Sequence, residues 1–315
     1  MANEETRKQD ILDALGKFDE ESKLSNDKFV KDLESEREIP SVIYHYTNDL
    51  GLRGILETGK FWLTDIFKLN DPSELEYGIS HLIETLVTAV DSGAQTLSAH
   101  VKAFRSKGLK TSAYYYLCSF SSDGDELGQW RAYADNGRGF ALGFDRKVLE
   151  DAFMNDKISN QENSTFPITY NEAYISDLQR GLVKELFLKI QWHSFKFLDE
   201  DAYFDNLLFP LINHGLYRSL HFKHKAYKNE HEYRFLQIFP HDQPPPEVKL
   251  RSRDYSLVSY REFDWRSVAA KALREIKIGP SADKEKAMQF VRDCQQVSNI
   301  DPLELTVSNI PYRAL

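Results

Sequence analysis

Alternating polar and apolar residues at 42–47 predict a short strand with chemically distinct faces. Side chains alternate along a strand, so His45 and Thr47 share one face and Tyr44 and Tyr46 the other. A ring nitrogen and a hydroxyl two residues apart then point the same way. This geometry can present a polar pair to a ligand, whereas a lone histidine on an apolar face is by default a core residue.

The rest of the chain mixes strand and helix patterns irregularly. β-branched and aromatic runs predict strands at 61–64, 113–121, 139–144, 230–239, 254–263, 273–278 and 303–307. Helical spacing and end signals predict helices at 49–57 (Asp49 as N-cap, Gly59 as terminator), from Asp71-Pro72 to Val90, and at about 96–106, 127–133 and 283–295. This order predicts an α+β fold with a mixed, largely antiparallel central sheet and flanking helices.

Two segments stand apart from this pattern. Residues 1–38 are predicted to form a helical arm, because 5–37 carry an apolar stripe that Ser25-Asn26-Asp27 interrupts; its members are Ile11, Leu12, Leu15 and Phe18. The arm is expected to dock on the body or on a partner protein, with a plain surface helix as the alternative. Residues 39–315 are predicted to form a single domain with a helical insertion at about 171–222, broken near Pro210.

Composition narrows the functional classes. The 315 residues carry a net charge of −9 and no run of clustered Lys or Arg, so general nucleic-acid binding is not expected. Cys118 and Cys294 are far apart and lack metal-ligand spacing, which is typical of a reducing compartment. No apolar run of membrane-spanning length and no apolar leader occur, so we expect a soluble, cytoplasmic protein without a membrane partner.

A pair of carboxylates marks the second candidate segment. On the predicted strand, Glu230, Glu232 and Arg234 share one face. Two carboxylates in one cleft repel each other, so one pKa can rise while the other stays low. The pair can stabilise positive charge or orient hydroxyls; the alternative is a solvated strand on which Glu232 pairs with Arg234.

Two further groups have both a chemical and a structural interpretation. His221 and His224, close to the glutamates in sequence, could bind a metal, although Lys223 between them disfavours a cation and no established metal motif is present. Trp130 and Tyr133 lie one helical turn apart and are either core residues or the walls of a pocket.

Together these motifs resemble a known family. They occur in the following order: Tyr44-His45-Tyr46-Thr47, Leu69-Asn70-Asp71-Pro72-Ser73-Glu74, Cys118-Ser119-Phe120-Ser121, Trp130-x-x-Tyr133, Asn229-Glu230-His231-Glu232-Tyr233-Arg234 and Ile310-Pro311-Tyr312-Arg313. The pattern resembles the bacterial domain of unknown function 2971 family over about residues 40–313. The family name carries no activity.

More distantly, the motifs are similar to the ADP-ribosyltransferase fold of diphtheria toxin and the poly-ADP-ribose polymerases. The resemblance implies that His45 and Thr47 hold a ribose of NAD, that Tyr77 stacks on nicotinamide and that Glu232 is catalytic. Glu230 supplies the Glu-x-Glu form of the arginine-modifying relatives, whose Ser-Thr-Ser strand Ser119-Phe120-Ser121 resembles. The chain departs from both branches, because it combines a His-type first motif with a Glu-x-Glu third motif.

The expected site follows from this resemblance. The expected catalytic residues are Glu232, Glu230 and His45, and the expected NAD-binding residues are His45, Tyr46, Thr47, Tyr77, Asn70, Asp71, Ser119, Trp130, Tyr133 and Arg234. NAD is the expected substrate, no metal is expected, and the acceptor is unknown. Cleavage of the nicotinamide–ribose bond has an oxocarbenium-like transition state that a carboxylate stabilises.

We therefore expect an ADP-ribosyltransferase or NAD glycohydrolase. The resemblance alone suggests a bacterial toxin or antiphage-defence effector. The alternatives are a nucleotide-sensing module on the same fold, without catalysis, and a metal-dependent nuclease or hydrolase that uses His221, His224 and the two glutamates.

Overall fold

A ten-stranded sheet with helices on both faces organises the chain, as seen in a computed structural model that describes residues 2–35, 39–69, 73–90, 113–156, 161–189, 209–240, 243–253 and 255–314. The strands are β1 Val42–Thr47, β2 Lys60–Asp65, β3 Ala113–Ser121, β4 Phe140–Asp145, β5 Glu162–Pro167, β6 Glu232–Pro240, β7 Lys249–Arg253, β8 Ser256–Asp264, β9 Leu273–Ile278 and β10 Glu304–Val307. The helices are α1 Ala2–Ser35, α2 Asp49–Thr58, α3 Ser73–Val90, α4 Leu127–Tyr133, α5 Arg146–Asn155, α6 Glu172–Lys189, α7 Phe209–Ser219, α8 Trp265–Ala269 and α9 Lys284–Val297.

The sheet is forked at β3. Its order is β10-β9-β4-β1-β3-β2-β8-β7, and β6 pairs with β3 and β5. Because β6 follows one edge of β3 along its full length, β1 and β2 share the other edge. β1 pairs there at Ser121 and β2 at Leu117 and Tyr116. Among the strand pairs of the described residues, β9 and β10 form the parallel one, which confirms the predicted α+β fold with a mixed, largely antiparallel sheet.

The two faces of β3 belong to different cores. Tyr116, Cys118 and Phe120 lie in the larger core, which contains buried residues of α2, α5 and α9. Tyr115 and Leu117 point the other way, into a core shared with α3 and α7. Ser119 and Ser121 have this second orientation, because side chains alternate along a strand. This face of β3 is therefore apolar at Tyr115 and Leu117 and polar at Ser119 and Ser121.

His45 occupies the fork between β1 and β2. Its Nδ1 lies 3.2 Å from the backbone oxygen of Ser119, between the two ladders on that edge of β3. The imidazole packs edge-on against Phe61 and Phe120, with ring centroids 5.3 and 5.5 Å away. Burial lowers the pKa of His45 below its ordinary value, so the ring is neutral at physiological pH.

The N-terminal helix packs on the body through α6, α7 and β5. Ile11, Leu15 and Phe18 are buried, as the apolar stripe predicts. The helix predicted over residues 5–37 is observed as α1, and Ser25-Asn26-Asp27 interrupt its apolar stripe without interrupting the helix. Docking on a partner stays a prediction.

Tertiary hydrogen bonds explain why the helix continues through Asn26. The Asn26 side chain is buried, where it accepts from Arg218 Nε at 2.7 Å and contacts His214 Nδ1 at 3.2 Å. His214 Nε2 also lies 2.8 Å from Asp19. These partners satisfy a polar side chain that would otherwise compete with the helix backbone.

Several predicted boundaries shift. Asn48, and not Asp49, caps α2, because the Asn48 side chain accepts from the Gly51 N–H at 2.8 Å; Gly59 ends the helix in the left-handed region, as predicted. Strands β5 and β7 were not predicted. The predicted helix at 96–106 and the Asp71-Pro72 helix start lie outside the described residues. No helix in the described part of the chain has the length and apolarity to cross a bilayer.

The predicted helical insertion corresponds to α6 and α7, and the residues between them lie outside the described ranges. Both helices pack against α3. Pro210 lies in the first turn of α7, where its missing N–H leaves no hydrogen bond unmade.

A pair of identical substitutions on α1 tests its docking. Leu15 is buried and Leu24 is 69% exposed on the same helix. We expect Leu15→Ala to lower the free energy of unfolding by about 2–5 kcal/mol and Leu24→Ala by less than about 0.5 kcal/mol. Urea unfolding monitored by circular dichroism measures both. Equal small effects would contradict the docking of α1 on the body.

Two histidines with lowered pKa values, His45 and His221, predict a pH dependence of stability. The pKa of His45 is lowered in the folded state, so the unfolded state binds more protons below pH ~6.5 and stability falls as the pH drops. We expect His45→Phe to reduce this fall, by at most about 1.4 kcal/mol per pH unit. Urea unfolding at several pH values between ~7.5 and ~5.5 measures the slope.

His221→Phe is the matched variant, because burial also lowers the pKa of His221, to about 3. Each single variant should lower the slope of unfolding free energy against pH, and the double variant should lower it by the sum of the two effects. If the unfolding free energy of His45→Phe depended on pH as strongly as that of the parent protein, His45 would not be held neutral in the folded state.

Candidate active site

A left-handed residue positions the two glutamates. His231 has φ 46° and separates a 3-10 helix, Lys225–Glu230, from the start of β6 at Glu232. Glu230 is therefore not on the strand, and the prediction that Glu230, Glu232 and Arg234 alternate on one strand is wrong for Glu230. The turn is held to β3, because Ser121 Oγ donates to the Glu230 backbone oxygen at 2.7 Å and the Ser122 N–H donates to that of His231 at 2.8 Å.

The carboxylate of Glu232 is buried and surrounded by donors. Ser119 Oγ donates to Oε1 at 2.6 Å. Arg234 donates from Nε to Oε1 at 2.6 Å and from Nη2 to Oε2 at 3.0 Å, and Lys223 Nζ lies 3.2 Å from Oε2. The whole residue is 6% exposed. These contacts replace the predicted alternative of a solvated strand, although the Glu232–Arg234 pair itself is present.

Opposing effects decide the charge of Glu232. Burial alone would raise the pKa of its carboxyl, but the charges of Arg234 and Lys223, with the hydrogen bonds from Arg234 and Ser119, hold that pKa below its ordinary value. Glu232 is therefore ionised at neutral pH. A buried carboxylate in this state can stabilise a developing positive charge without first losing a proton.

Lys223 connects the two glutamates. Its Nζ lies 2.5 Å from Glu230 Oε2 as well as 3.2 Å from Glu232 Oε2. The backbone hydrogen bond from the Lys223 N–H to the Thr169 oxygen, at 3.1 Å, fixes the segment that follows α7. Sequence reasoning did not include Lys223 in the site, although a cation beside a carboxylate pair was the available signal.

The aromatic candidates have different surroundings. Trp130 is fully buried, packs edge-on against Tyr46 at 4.8 Å and donates from Nε1 to Asp125 at 2.8 Å, so it is a core residue. The Tyr46 hydroxyl donates to the Asp123 backbone oxygen at 2.8 Å. Tyr133 is 41% exposed, and its hydroxyl lies 3.4 Å from Glu230 Oε1. Of these three rings, Tyr133 is the one beside the carboxylates.

His45 and Glu232 approach Ser119 from opposite faces of the sheet. The imidazole contacts the backbone oxygen of Ser119 on the side of Phe120, whereas the Ser119 hydroxyl contacts Glu232 on the other side. Thr47 shares the face of His45, and a Cβ at Gly51 would lie 1.8 Å from the Thr47 hydroxyl oxygen. The structure therefore assembles Glu230, Glu232, Arg234, Ser119 and Tyr133, with His45 and Thr47 behind the strand that carries Ser119.

The side-chain positions of three expected site residues are not described. Asn70 and Asp71 lie outside the described residues. Tyr77 belongs to α3, but its side chain is also outside the description.

The histidines of the metal hypothesis serve other contacts. His221 is buried and stacks on Phe166 with a centroid distance of 3.7 Å, and its Nδ1 lies 2.9 Å from the Tyr217 backbone oxygen. The side chain of His224 caps the 3-10 helix by accepting from the Ala226 N–H at 3.2 Å. Within the described ranges, no group of three or more His, Cys, Asp or Glu side chains has metal-binding geometry.

A separate cleft of about 700 Å³ opens between α1, α5 and β5. Lys31, Arg146, Asp151, Thr165 and Tyr217 are among its lining residues. It shares no lining residue with the glutamate cluster, so this cleft and the candidate chemistry are at different places.

Comparison with known proteins gives one match. No curated protein and no solved structure matches the chain. Residues 129–235 match the model of a family described as "Protein of unknown function (DUF2971)", a segment that contains Tyr133, Lys223, Glu230, Glu232 and Arg234. This match supports the family resemblance drawn from the motifs, and it covers the segment that supplies most of the glutamate cluster.

Proposed function

We propose that the protein is an NAD-using enzyme of the ADP-ribosyltransferase type, with Glu232 as the catalytic carboxylate. One observation carries this proposal: an ionised, buried Glu232 accepts a 2.6 Å hydrogen bond from Ser119, on a strand that resembles the Ser-Thr-Ser strand of such enzymes. A context of bacterial toxin action or antiphage defence in the cytoplasm belongs to the same proposal and rests on the family resemblance.

The proposed chemistry breaks one bond and forms another. The bond between C1′ of the ribose and the nicotinamide nitrogen breaks, and nicotinamide leaves with the electron pair. The positive charge that develops on the ribose is stabilised by the Glu232 carboxylate. An acceptor nucleophile or water then bonds to C1′ and loses a proton, for which Glu230 is the adjacent base.

The neighbouring side chains prepare these two carboxylates. Arg234 and Lys223 keep Glu232 ionised, and Lys223 also faces Glu230. Tyr133 offers a partly exposed ring beside Glu230, suitable for contact with a planar substrate group. His45, behind Ser119, acts as a positioning residue, because its contact with the Ser119 backbone oxygen holds the strand at the fork.

A second function is favoured by a specific observation. Both oxygens of Glu232 already contact protein donors, namely Ser119, Arg234 and Lys223. A carboxylate in this state suits a rigid binding module that holds a nucleotide and leaves it intact. The two functions differ in whether nicotinamide is released.

Glu232→Gln tests the proposed chemistry. The amide keeps the size of the side chain but removes the negative charge, so nicotinamide release from NAD should fall at least about 100-fold. Release is measured by chromatography after incubation of the full-length protein with NAD. Glu150→Gln is the matched control, because Glu150 is also a buried carboxylate, bonded to Arg146 and the Tyr233 hydroxyl, on the other side of the sheet.

Thermal unfolding separates loss of chemistry from loss of fold. The proposal requires Glu150→Gln to release nicotinamide at the parental rate and Glu232→Gln to remain folded while inactive. Undiminished release by folded Glu232→Gln refutes the catalytic role. Tight NAD binding in calorimetry, without release by the parent protein, identifies the binding module instead.

A further inference from the structure

The outer strands of the sheet carry an aromatic and basic surface that shares no residue with the cluster around Glu232. We name it the β2–β8–β7 surface and define it by Lys60, Trp62, Thr64, Lys249, Arg251, Arg253, Tyr260 and Glu262. Register puts these side chains on one face, because Trp62 pairs with Glu262, Thr64 with Tyr260, and Tyr260 with Lys249. β7 ends the sheet path, so this surface lies at its border.

An exposed tryptophan forms its centre. Trp62 is 45% exposed, whereas Trp130 and Trp265 are buried. Its ring centroid lies 4.6 Å from that of Tyr260, and the Arg251 guanidinium lies 5.3 Å from the Trp62 ring centre. A large aromatic side chain that remains exposed beside a cation is a feature of surfaces that stack planar ligands.

The charge of Arg251 is not compensated by a carboxylate. Its Nη2 donates to the Thr64 hydroxyl at 3.0 Å, and no carboxylate of the described residues pairs with it. Its Nε is buried and has no hydrogen-bond partner in the described part of the chain. Burial and the neighbouring charge of Arg253 both lower the pKa of Arg251. An anionic ligand would relieve this excess of positive charge.

The surface remains positive when its carboxylates are included. Glu262 accepts from Lys60 at 2.8 Å and from Lys249 at 2.9 Å. Asp264 pairs in register with Lys60 and adds a second carboxylate at the end of this face, so the described residues place four cations beside two carboxylates. Lys249, Arg251 and Arg253 follow one another every second residue, with a repeat of about 6.7 Å along the strand.

We propose that the β2–β8–β7 surface binds single-stranded nucleic acid, with a base against Trp62 and phosphates along the cations of β7. Stacking on an aromatic ring combined with a track of cations is the general mode of single-strand recognition. An acidic peptide would contact the cations but would leave the exposed ring of Trp62 unused. The inference is independent of the proposed enzyme activity and departs from the sequence-based expectation about nucleic acids, which considered only net charge and contiguous basic runs.

Binding of a fluorescein-labelled oligothymidylate of ~15 nucleotides, followed by anisotropy, tests the inference. Trp62→Ala should weaken binding at least about 5-fold, and Arg251→Gln should weaken it and reduce the slope of log affinity against log salt by about 0.7. Trp62→Phe should retain most of the affinity, because a ring remains. Arg53→Gln on α2 is the charge-matched control and should bind like the parent, since Arg53 is 60% exposed and pairs with Glu57.

Competition and a second variant complete the test. Unlabelled oligothymidylate should displace the probe, whereas poly-glutamate of equal charge should not. Glu232→Gln should bind the probe normally, so failure of the enzyme proposal leaves this result unaffected. The inference is overturned if the parent protein does not bind the probe at low salt, if folded Trp62→Ala and Arg251→Gln bind like the parent, or if poly-glutamate competes equally.

Discussion

The burial of the Glu232 carboxylate is the constraint on which the candidate site depends. Moving an ionised carboxylate out of water carries a penalty of several kcal/mol, which only close cations and hydrogen bonds offset. Arg234 supplies two donors from the same strand, and Lys223 supplies one from the segment after α7. Folding must therefore bring β6 and this segment together, and loss of either cation would leave a buried charge uncompensated.

The same constraint reaches the fork of the sheet through Ser119. This residue contacts Glu232 with its hydroxyl and His45 with its backbone oxygen, so it links the two faces of β3. Between the β1 and β2 ladders, the backbone oxygen of Ser119 has no strand partner on that edge, and a buried carbonyl without a hydrogen bond is unfavourable. The imidazole provides the contact. The contacts of His45 and Glu232 are consequently two parts of one local arrangement around Ser119.

Much of this architecture could be predicted, because local patterns determine it. The period-two alternation correctly predicts β1, and the apolar stripe correctly predicts the buried face of α1. The features that local patterns did not predict depend on partners that are distant in the sequence. Asn26 only interrupts the apolar stripe in the sequence, and its burial depends on the partners His214 and Arg218. Lys223 joins the site only when Thr169 fixes its segment.

Edge strands and left-handed backbone angles explain the other differences between the predicted and the observed structure. β5 and β7 have polar sequences and little side-chain burial, and within the described residues each pairs with a strand on one edge. Hydrophobic alternation therefore does not reveal them. The left-handed conformation of His231 removes Glu230 from the strand, and nothing in a Glu-His-Glu sequence indicates that angle. The basic face of β7 was not predicted for a related reason. Its cations occupy every second position, so they share one face of the strand but form no contiguous run in the sequence.

In the proposed reaction, a substrate can contact Glu232 only if one of its present hydrogen-bond donors moves away. The geometry indicates which donor this is. Arg234 grips both oxygens and is itself anchored, because its Nη1 donates to the Leu220 backbone oxygen at 2.8 Å. Lys223 is closer to Glu230 than to Glu232, at 2.5 against 3.2 Å. A small movement of this flexible side chain toward Glu230 would uncover Oε2 without leaving either carboxylate unpaired. In the proposed reaction, Oε2 would therefore accept a ribose hydroxyl, while Oε1, held by Ser119 and Arg234, keeps the carboxylate in place.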